Sequence, residues 1–124
     1  MSGFTLDTGA LIALERRRQR MRSFLELAKR DKIPLVTPAV CVAEWWRGRS
    51  DLREGILAAV LVEHTDDVLV RLTGQALAIV ASATLVDAMV MASAARRGGI
   101  VLTSDVQDLT RLQAAFPGVR VLAV

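Results

Sequence analysis

The chain reads as one α/β domain, a mostly parallel central sheet flanked by helices on both sides in three layers. Three observations predict this class. Short apolar or β-branched runs, Phe4-Thr5-Leu6, Ile33-Pro34-Leu35-Val36 and Ile100-Val101-Leu102-Thr103, alternate with longer segments of helical periodicity. The last of these runs shows no polar alternation, which is the pattern of a strand buried on both faces. At 124 residues, 52% of them hydrophobic, the chain can bury a core without staples. With no linker, internal repeat or low-complexity segment, residues 1–124 form a single domain.

Phe4-Thr5-Leu6 ends at Asp7, and Leu11 and Leu14 give helical spacing from Thr8 to about Arg18. Phe24, Leu25 and Ala28 line the inner face of a second helix from Met21 to Arg30. The strand Ile33 to Val36 leads to Pro38, which suits the first turn of a helix running to Gly48. A helix comes next over Asp51 to Val60, then a short strand, Leu61 to His64, with Thr65 capping a helix from about Asp66. Leu85 to Arg97 is helical and stops at Gly98-Gly99. After the strand Ile100 to Thr103, Ser104 or Asp105 caps a last helix to about Phe116. Pro117-Gly118 turns the chain into a closing strand, Val119 to Leu122.

Composition excludes several classes. A single cysteine, Cys41, rules out an intrachain disulfide and fits a reducing cytoplasm. The opening Met-Ser-Gly-Phe-Thr-Leu-Asp lacks the basic and apolar regions of a secretory leader. From Leu72 to Ala95 only Asp87 is charged, but the stretch is rich in Ala, Ser and Thr. A central Asp costs about 2.5–3.5 kcal/mol on membrane insertion. Buried helices, with no membrane span, are the expectation. The hydrophobic surplus is expected to cover a dimer or partner interface.

The net charge is +3, unevenly spread: residues 1–53 hold eleven Lys/Arg against six Asp/Glu, and residues 54–124 hold five against seven. An acidic pocket in a basic body suits a polyanion approaching a metal. An Arg-rich solvated surface accounts for the charge equally well.

Four acids stand out. Asp7 directly follows the first strand, Glu44 lies in the helix after the second, and Asp87 sits in a helix that is apolar nearly all round. Asp105 follows the most regular strand. In a parallel α/β fold such positions converge on one sheet edge, where ligands bind. Each has a structural alternative: a helix N-cap for Asp7 and Asp105, a solvated helix face for Glu44. Asp87 is hardest to explain away, since it shares a stripe with Val90, Met91 and Ala94 and has no nearby cation in sequence. Together they read as an all-oxygen site for Mg²⁺ or Mn²⁺, and the lack of His-Cys clusters agrees. His64, the one histidine, reads as an ordinary strand-end residue. Such a site hydrolyses phosphodiesters, and the missing Gly-rich and GxxxxGK loops argue against an NTPase.

Thr5-Leu6-Asp7-Thr8-Gly9-Ala10-Leu11-Ile12-Ala13-Leu14, Thr37-Pro38-Ala39-Val40-Cys41-Val42-Ala43-Glu44-Trp45-Trp46-Arg47-Gly48, Val86-Asp87-Ala88 and Val101-Leu102-Thr103-Ser104-Asp105 with Asp108-Leu109 resemble PIN-domain proteins. Within that superfamily the chain is similar to VapC-like ribonuclease toxins of bacterial toxin–antitoxin modules. The resemblance spans essentially the whole chain in order. It implies a Mg²⁺- or Mn²⁺-dependent endoribonuclease of the cytoplasm, usually a homodimer, held by a cognate antitoxin and meeting DNA only through it. It assigns Asp7, Glu44, Asp87 and Asp105 as catalytic and metal-binding acids, with Thr103, Ser104 and Asp108 in support. Arg47 and Arg49, just beyond Glu44, are placed to meet RNA or antitoxin. Many relatives carry a further Asp shortly before Val-Asp-Ala, where this chain has Ala81-Ser82-Ala83-Thr84-Leu85, so the number of metals stays open.

Arg16, Arg17, Arg18, Arg20 and Arg22 suit either RNA phosphates or a solvated helix and turn. Of Trp45 and Trp46, adjacent on a helix, at least one faces core or interface. The rival readings are a PIN-like module that binds RNA or a partner without cutting, a DNA nuclease, and a phosphoacceptor receiver domain. The last needs a late lysine, and the only lysines are Lys29 and Lys32.

Overall fold

A computed structural model of the chain describes residues 3–124. Met1 and Ser2, part of the stretch read for a leader, lie outside the described residues. The elements run β1 (Phe4–Leu6), α1 (Thr8–Glu15), α2 (Gln19–Asp31), β2 (Leu35–Pro38), α3 (Ala39–Trp45), α4 (Asp51–Ala59) and β3 (Leu61–Glu63). Beyond β3 come α5 (Asp67–Ile79), α6 (Leu85–Arg97), β4 (Ile100–Thr103), α7 (Val106–Thr110), a 3-10 turn (Arg111–Ala114) and β5 (Arg120–Ala123). The five strands pair in the order β3-β2-β1-β4-β5, every pair parallel. This is the α/β class that the alternation of runs predicts.

Burial follows position in the sheet. The central β1, β2 and β4 are almost wholly buried, while the edges β3 and β5 are largely exposed. Helix α6 packs on β1, β2 and β4 with α5 against it. Helix α1 packs on β1 and β4 and gathers α2, α3 and α4 around itself. Residues 88–94 of α6 are all buried, as its nearly uniform apolarity requires. Among the described residues no helix is long and apolar enough to cross a membrane.

Several boundaries differ from the sequence reading, each for a local reason. Helix α1 stops at Glu15, before Arg18, because Arg17 turns left-handed (φ 54°) and the Arg18 N–H reaches back to the Ala13 carbonyl. The second strand is Leu35–Pro38, two residues later than expected. The Ile33 N–H is committed to the Ala28 carbonyl at the end of α2, and the strand pairs Phe4 with Leu35. Pro38 therefore closes the strand and sits at the N-cap of α3, one place earlier than foreseen. Helix α3 ends at Trp45, short of Gly48, which takes φ 107°. Asp66, not Thr65, caps α5 by accepting the Leu69 N–H at 2.8 Å. The last helix tightens into the 3-10 turn after Thr110.

A buried ion pair ties the far end of α6 to the sheet. Arg97 donates to Glu63 Oε2 at 2.7 Å, to Thr5 Oγ1 at 2.7 Å and to Ser93 Oγ at 2.9 Å. Both side chains are about four-fifths buried, and Glu63 Oε1 and Arg97 Nε have no further partner. Removing one charge strands the other in a poorly solvated place. Glu63→Met is expected to cost about 3 kcal/mol in urea unfolding, and Glu63→Met with Arg97→Met to recover most of it. Equal losses in the single and double variants would show that the pair does not act as a unit.

Candidate active site

In a parallel sheet a ligand site forms beyond the carboxyl ends of the strands, where the strand order reverses. Here that place lies between β1 and β4, since the chain winds outward from β1 through β2 to β3 and then resumes on its other side. Asp7 leaves β1 and Asp105 follows β4, so these two acids flank the switch point. A cleft of about 480 Å³ opens there, lined by Asp7, Thr8, Gly9, Glu44, Asp87, Ser104, Asp105 and Asp108 with Thr84, Leu85 and Val86.

Asp7 is both N-cap and cleft acid. Its Oδ1 accepts the Ala10 N–H at 2.8 Å, capping α1, and its Oδ2 accepts from Thr103 Oγ1 at 2.5 Å. The same Thr103 hydroxyl accepts the Asp105 N–H at 2.9 Å, so one side chain of β4 fixes both flanking acids. Burial pushes Asp7 up to about 6 against these hydrogen bonds, with Asp87 and Asp105 adding repulsion. Gly9 lets Ser104 approach closely: a Cβ there would lie 2.1 Å from Ser104 Oγ, which would have to turn away.

Glu44 is exposed at the cleft rim, and its Oε1 accepts from Thr8 Oγ1 at 2.6 Å. Asp87 lies in the first turn of α6, whose N-cap Thr84 accepts the Asp87 N–H at 3.1 Å. The carboxyl is half-buried rather than enclosed in the apolar stripe. Burial raises it first, Thr84 lowers it, Asp108 and Glu44 raise it, and Arg111 lowers it. Asp105 occupies the N-cap position of α7 but makes no side-chain cap, contrary to its structural alternative. It is exposed, and the neighbouring Asp108 carboxyl is the main influence raising it, with Asp87 adding repulsion. Asp108 in turn pairs with Arg111 at 2.9 Å.

The fold thus brings Asp7, Glu44, Asp87, Asp105, Ser104 and Asp108 to one cleft, with Thr103 directly beneath. Arg47 and Arg49 lie in the exposed loop after α3 and are not among the lining residues, Arg47 donating to the Trp46 carbonyl. The arginines from 16 to 22 gather past the far end of α1, about 12 Å along its axis from Asp7. Trp45 is core, and its Nε1 donates to Glu15. His64 is exposed beyond β3. Cys41 is buried behind Thr8, its thiol pushed up to about 12 mainly by burial, and so stays protonated. Two residues were not legible as site residues from sequence, Thr8 and Arg111. Glu44, the partner of Thr8, lies 36 positions away, with only the Asp-Thr step as a hint, and Arg111 joins Asp108, three residues before it, to Ser82, 29 positions away.

The donors are all oxygen, as a hard divalent cation requires. Among the described residues no three acids stand close enough to form a closed ligand group. Acids spread around an open cleft could hold a hard divalent cation only together with several waters.

A parallel five-stranded α/β domain with acids at its switch point defines a class, and the family model for the PIN domain matches residues 4–114. The chain belongs to the PIN-domain family, whose members are generally nucleases. Among solved structures it is similar to a chain of DNA-bound VapBC from Salmonella typhimurium, with a TM-score of 0.74, 22% identity and coverage of 99% and 98% of the two chains. A chain of VapBC2 from Rickettsia felis bound to a promoter DNA fragment gives 0.76, at 11% identity and 98% of each chain. VapBC-5 from Mycobacterium tuberculosis, of the VapBC family of toxin–antitoxin systems, gives 0.60, at 24% identity and 100% of each chain. These likenesses are of fold. The comparison with curated proteins returns no match.

The raised Asp7 carboxyl makes stability depend on pH. Unfolded, the group ionises near 3.8, and folded only near 6, so the folded state binds the extra proton between those values. Stability therefore falls as pH rises through this window, by up to about 3 kcal/mol above it. Asp7→Asn keeps an oxygen for the Ala10 N–H and carries no charge. Without metal it is expected to raise the melting temperature by several degrees at pH 7.5 and little at pH 3.5. An equal shift at both pH values would exclude charge burial as the cause.

Proposed function

We propose that the protein is a Mg²⁺- or Mn²⁺-dependent endoribonuclease, the toxin of a toxin–antitoxin pair. The observation that carries this reading is the convergence of Asp7, Glu44, Asp87 and Asp105, from four separate elements, on one cleft at the switch point. These four acids would hold the cation, directly or through water. When bound, the metal supplies an acidified water and neutralises charge developing on the phosphate. The chain's own part is positional. Thr103 steers Asp7 and the Asp105 backbone, Thr8 steers Glu44, and Asp108 stands with Asp105 at the outer rim. Set against those acids, the basic balance of residues 1–53 favours a nucleic-acid substrate.

The partner assignments rest on surface chemistry. Three adjoining hollows beside α2 and α4 share Leu25, with Leu14, Leu52 and Ile56 in their lining and three cations, Arg17, Arg22 and Lys29, against one acid, Asp51. An apolar trough with a cationic border suits an amphipathic acidic segment of a cognate antitoxin, through which the pair would meet DNA. Val68, Ile79 and Leu85, each more than half exposed, offer apolar surface for a homodimer. The cytoplasm supplies both the RNA and the reducing conditions that a free Cys41 suits.

Purified protein incubated with total RNA in Mg²⁺ or Mn²⁺ is expected to cut it, and chelator to abolish the cutting. Asp7→Asn is expected to slow cleavage about a hundredfold or more. Cleavage that survives both controls would overturn the mechanism. A folded, antitoxin-free protein that cuts no RNA would instead favour the binding module, and one that cuts DNA alone a DNA nuclease.

A further inference from the structure

The cleft is lined by five carboxylates and by no lysine or arginine. An incoming phosphodiester is repelled by all of them until cations intervene. The cation that the fold sets beside these acids is Arg111, first residue of the 3-10 turn. Its Nη2 donates to Asp108 Oδ1 at 2.9 Å and its Nη1 to Ser82 Oγ at 3.2 Å. One guanidinium therefore joins α7 to the turn that precedes α6, and its field reaches Asp87.

The local sequence explains this position. Asp108 and Arg111 stand three residues apart, so they share a face as α7 tightens into the 3-10 turn. Their side chains are 45% and 50% exposed, and an ion pair so open contributes little to stability and breaks readily. The guanidinium has five N–H donors, of which these two hydrogen bonds use two. Its planar fork matches two oxygens of a phosphate, which an ammonium does not.

We propose that Arg111 is the substrate-binding cation of the cleft, exchanging Asp108 for a phosphate of the RNA as the strand enters. The assignment rests on the nuclease reading and deepens it: Asp108 acts as a placeholder for the phosphate, keeping the guanidinium extended while the cleft is free. Arg111 then carries charge recognition at the site itself.

Binding of fluorescently labelled total tRNA to Asp7→Asn protein, titrated across KCl concentrations, tests this without cleavage. Adding Arg111→Gln is expected to weaken binding about tenfold. It should also lower the slope of log affinity against log salt by about 0.7–0.9, one phosphate contact. Arg111→Lys should restore the slope and only part of the affinity. Calorimetric Mn²⁺ affinity on the otherwise wild-type chain should be the same for Arg111→Gln as for Arg111. An unchanged slope in Arg111→Gln, or altered Mn²⁺ binding that accounts for the loss, would overturn the assignment and make Arg111 a strap between α7 and its neighbouring turn. If Asp7→Asn protein binds no RNA at any salt, the nuclease reading falls and takes Arg111's role with it. If it binds and Arg111→Gln changes nothing, only Arg111 falls.

Discussion

The hydrogen bond from Thr103 to Asp7 couples the two central strands at the point where the sheet reverses its order. Asp7 follows β1 and Thr103 ends β4, and their contact holds a carboxylate where burial and two neighbouring acids disfavour its charge. Because Thr103 also receives the Asp105 N–H, moving either strand end displaces both flanking acids together. The other acids are arranged around this fixed pair: Asp87 by the Thr84 cap of α6, Glu44 by Thr8. Local stability is sacrificed here for an electrostatic arrangement that a bound cation would relieve.

Such tension needs a firm frame. Helix α6 provides it, since its buried middle packs over β1, β2 and β4 while Asp87 sits at its cleft end and Arg97 at the other. Arg97 is bound to Glu63, Thr5 and Ser93, so the helix is anchored to β1 and β3 at the end remote from the acids. Along this one helix, opposite charges are paired at one end, and like charges gather at the other.

The contrast decides what a sequence could reveal. Asp7 and Asp105 were legible because each follows a strand buried on both faces, and such strands read as short runs of apolar and β-branched residues without charge. Helix α6 was legible at both ends, from Leu85 and from the left-handed Gly98 that stops it. The frame of β2 was not: Ile33-Pro34 reads as apolar just as Leu35-Val36 does, yet the Ile33 N–H is already taken by the end of α2. Nor were Thr8 and Arg111. Thr8 reaches its acid 36 positions away, and for Arg111 the i,i+3 spacing to Asp108 was in the sequence, but not the placement of that pair beside the cleft through Ser82.

Glu44 shows how such distant bonds compensate for weak local specification. As an exposed carboxylate on a long side chain, it would ordinarily sample several rotamers, and fixing one carries an entropic cost. Helix α1 removes that freedom from both of its ends. Thr8 in its first turn holds the Glu44 carboxylate, and Glu15 in its last turn accepts the indole N–H of the adjacent Trp45 at 2.9 Å. Glu15 also pairs with Arg53, whose Nη1 donates to the Gly48 carbonyl, so the loop leaving α3 is held as well. Since Asp7 caps the same helix, Asp7 and Glu44 are referenced to a single rigid body. The acid least conspicuous in the sequence is thereby held to the same helix as the most buried one.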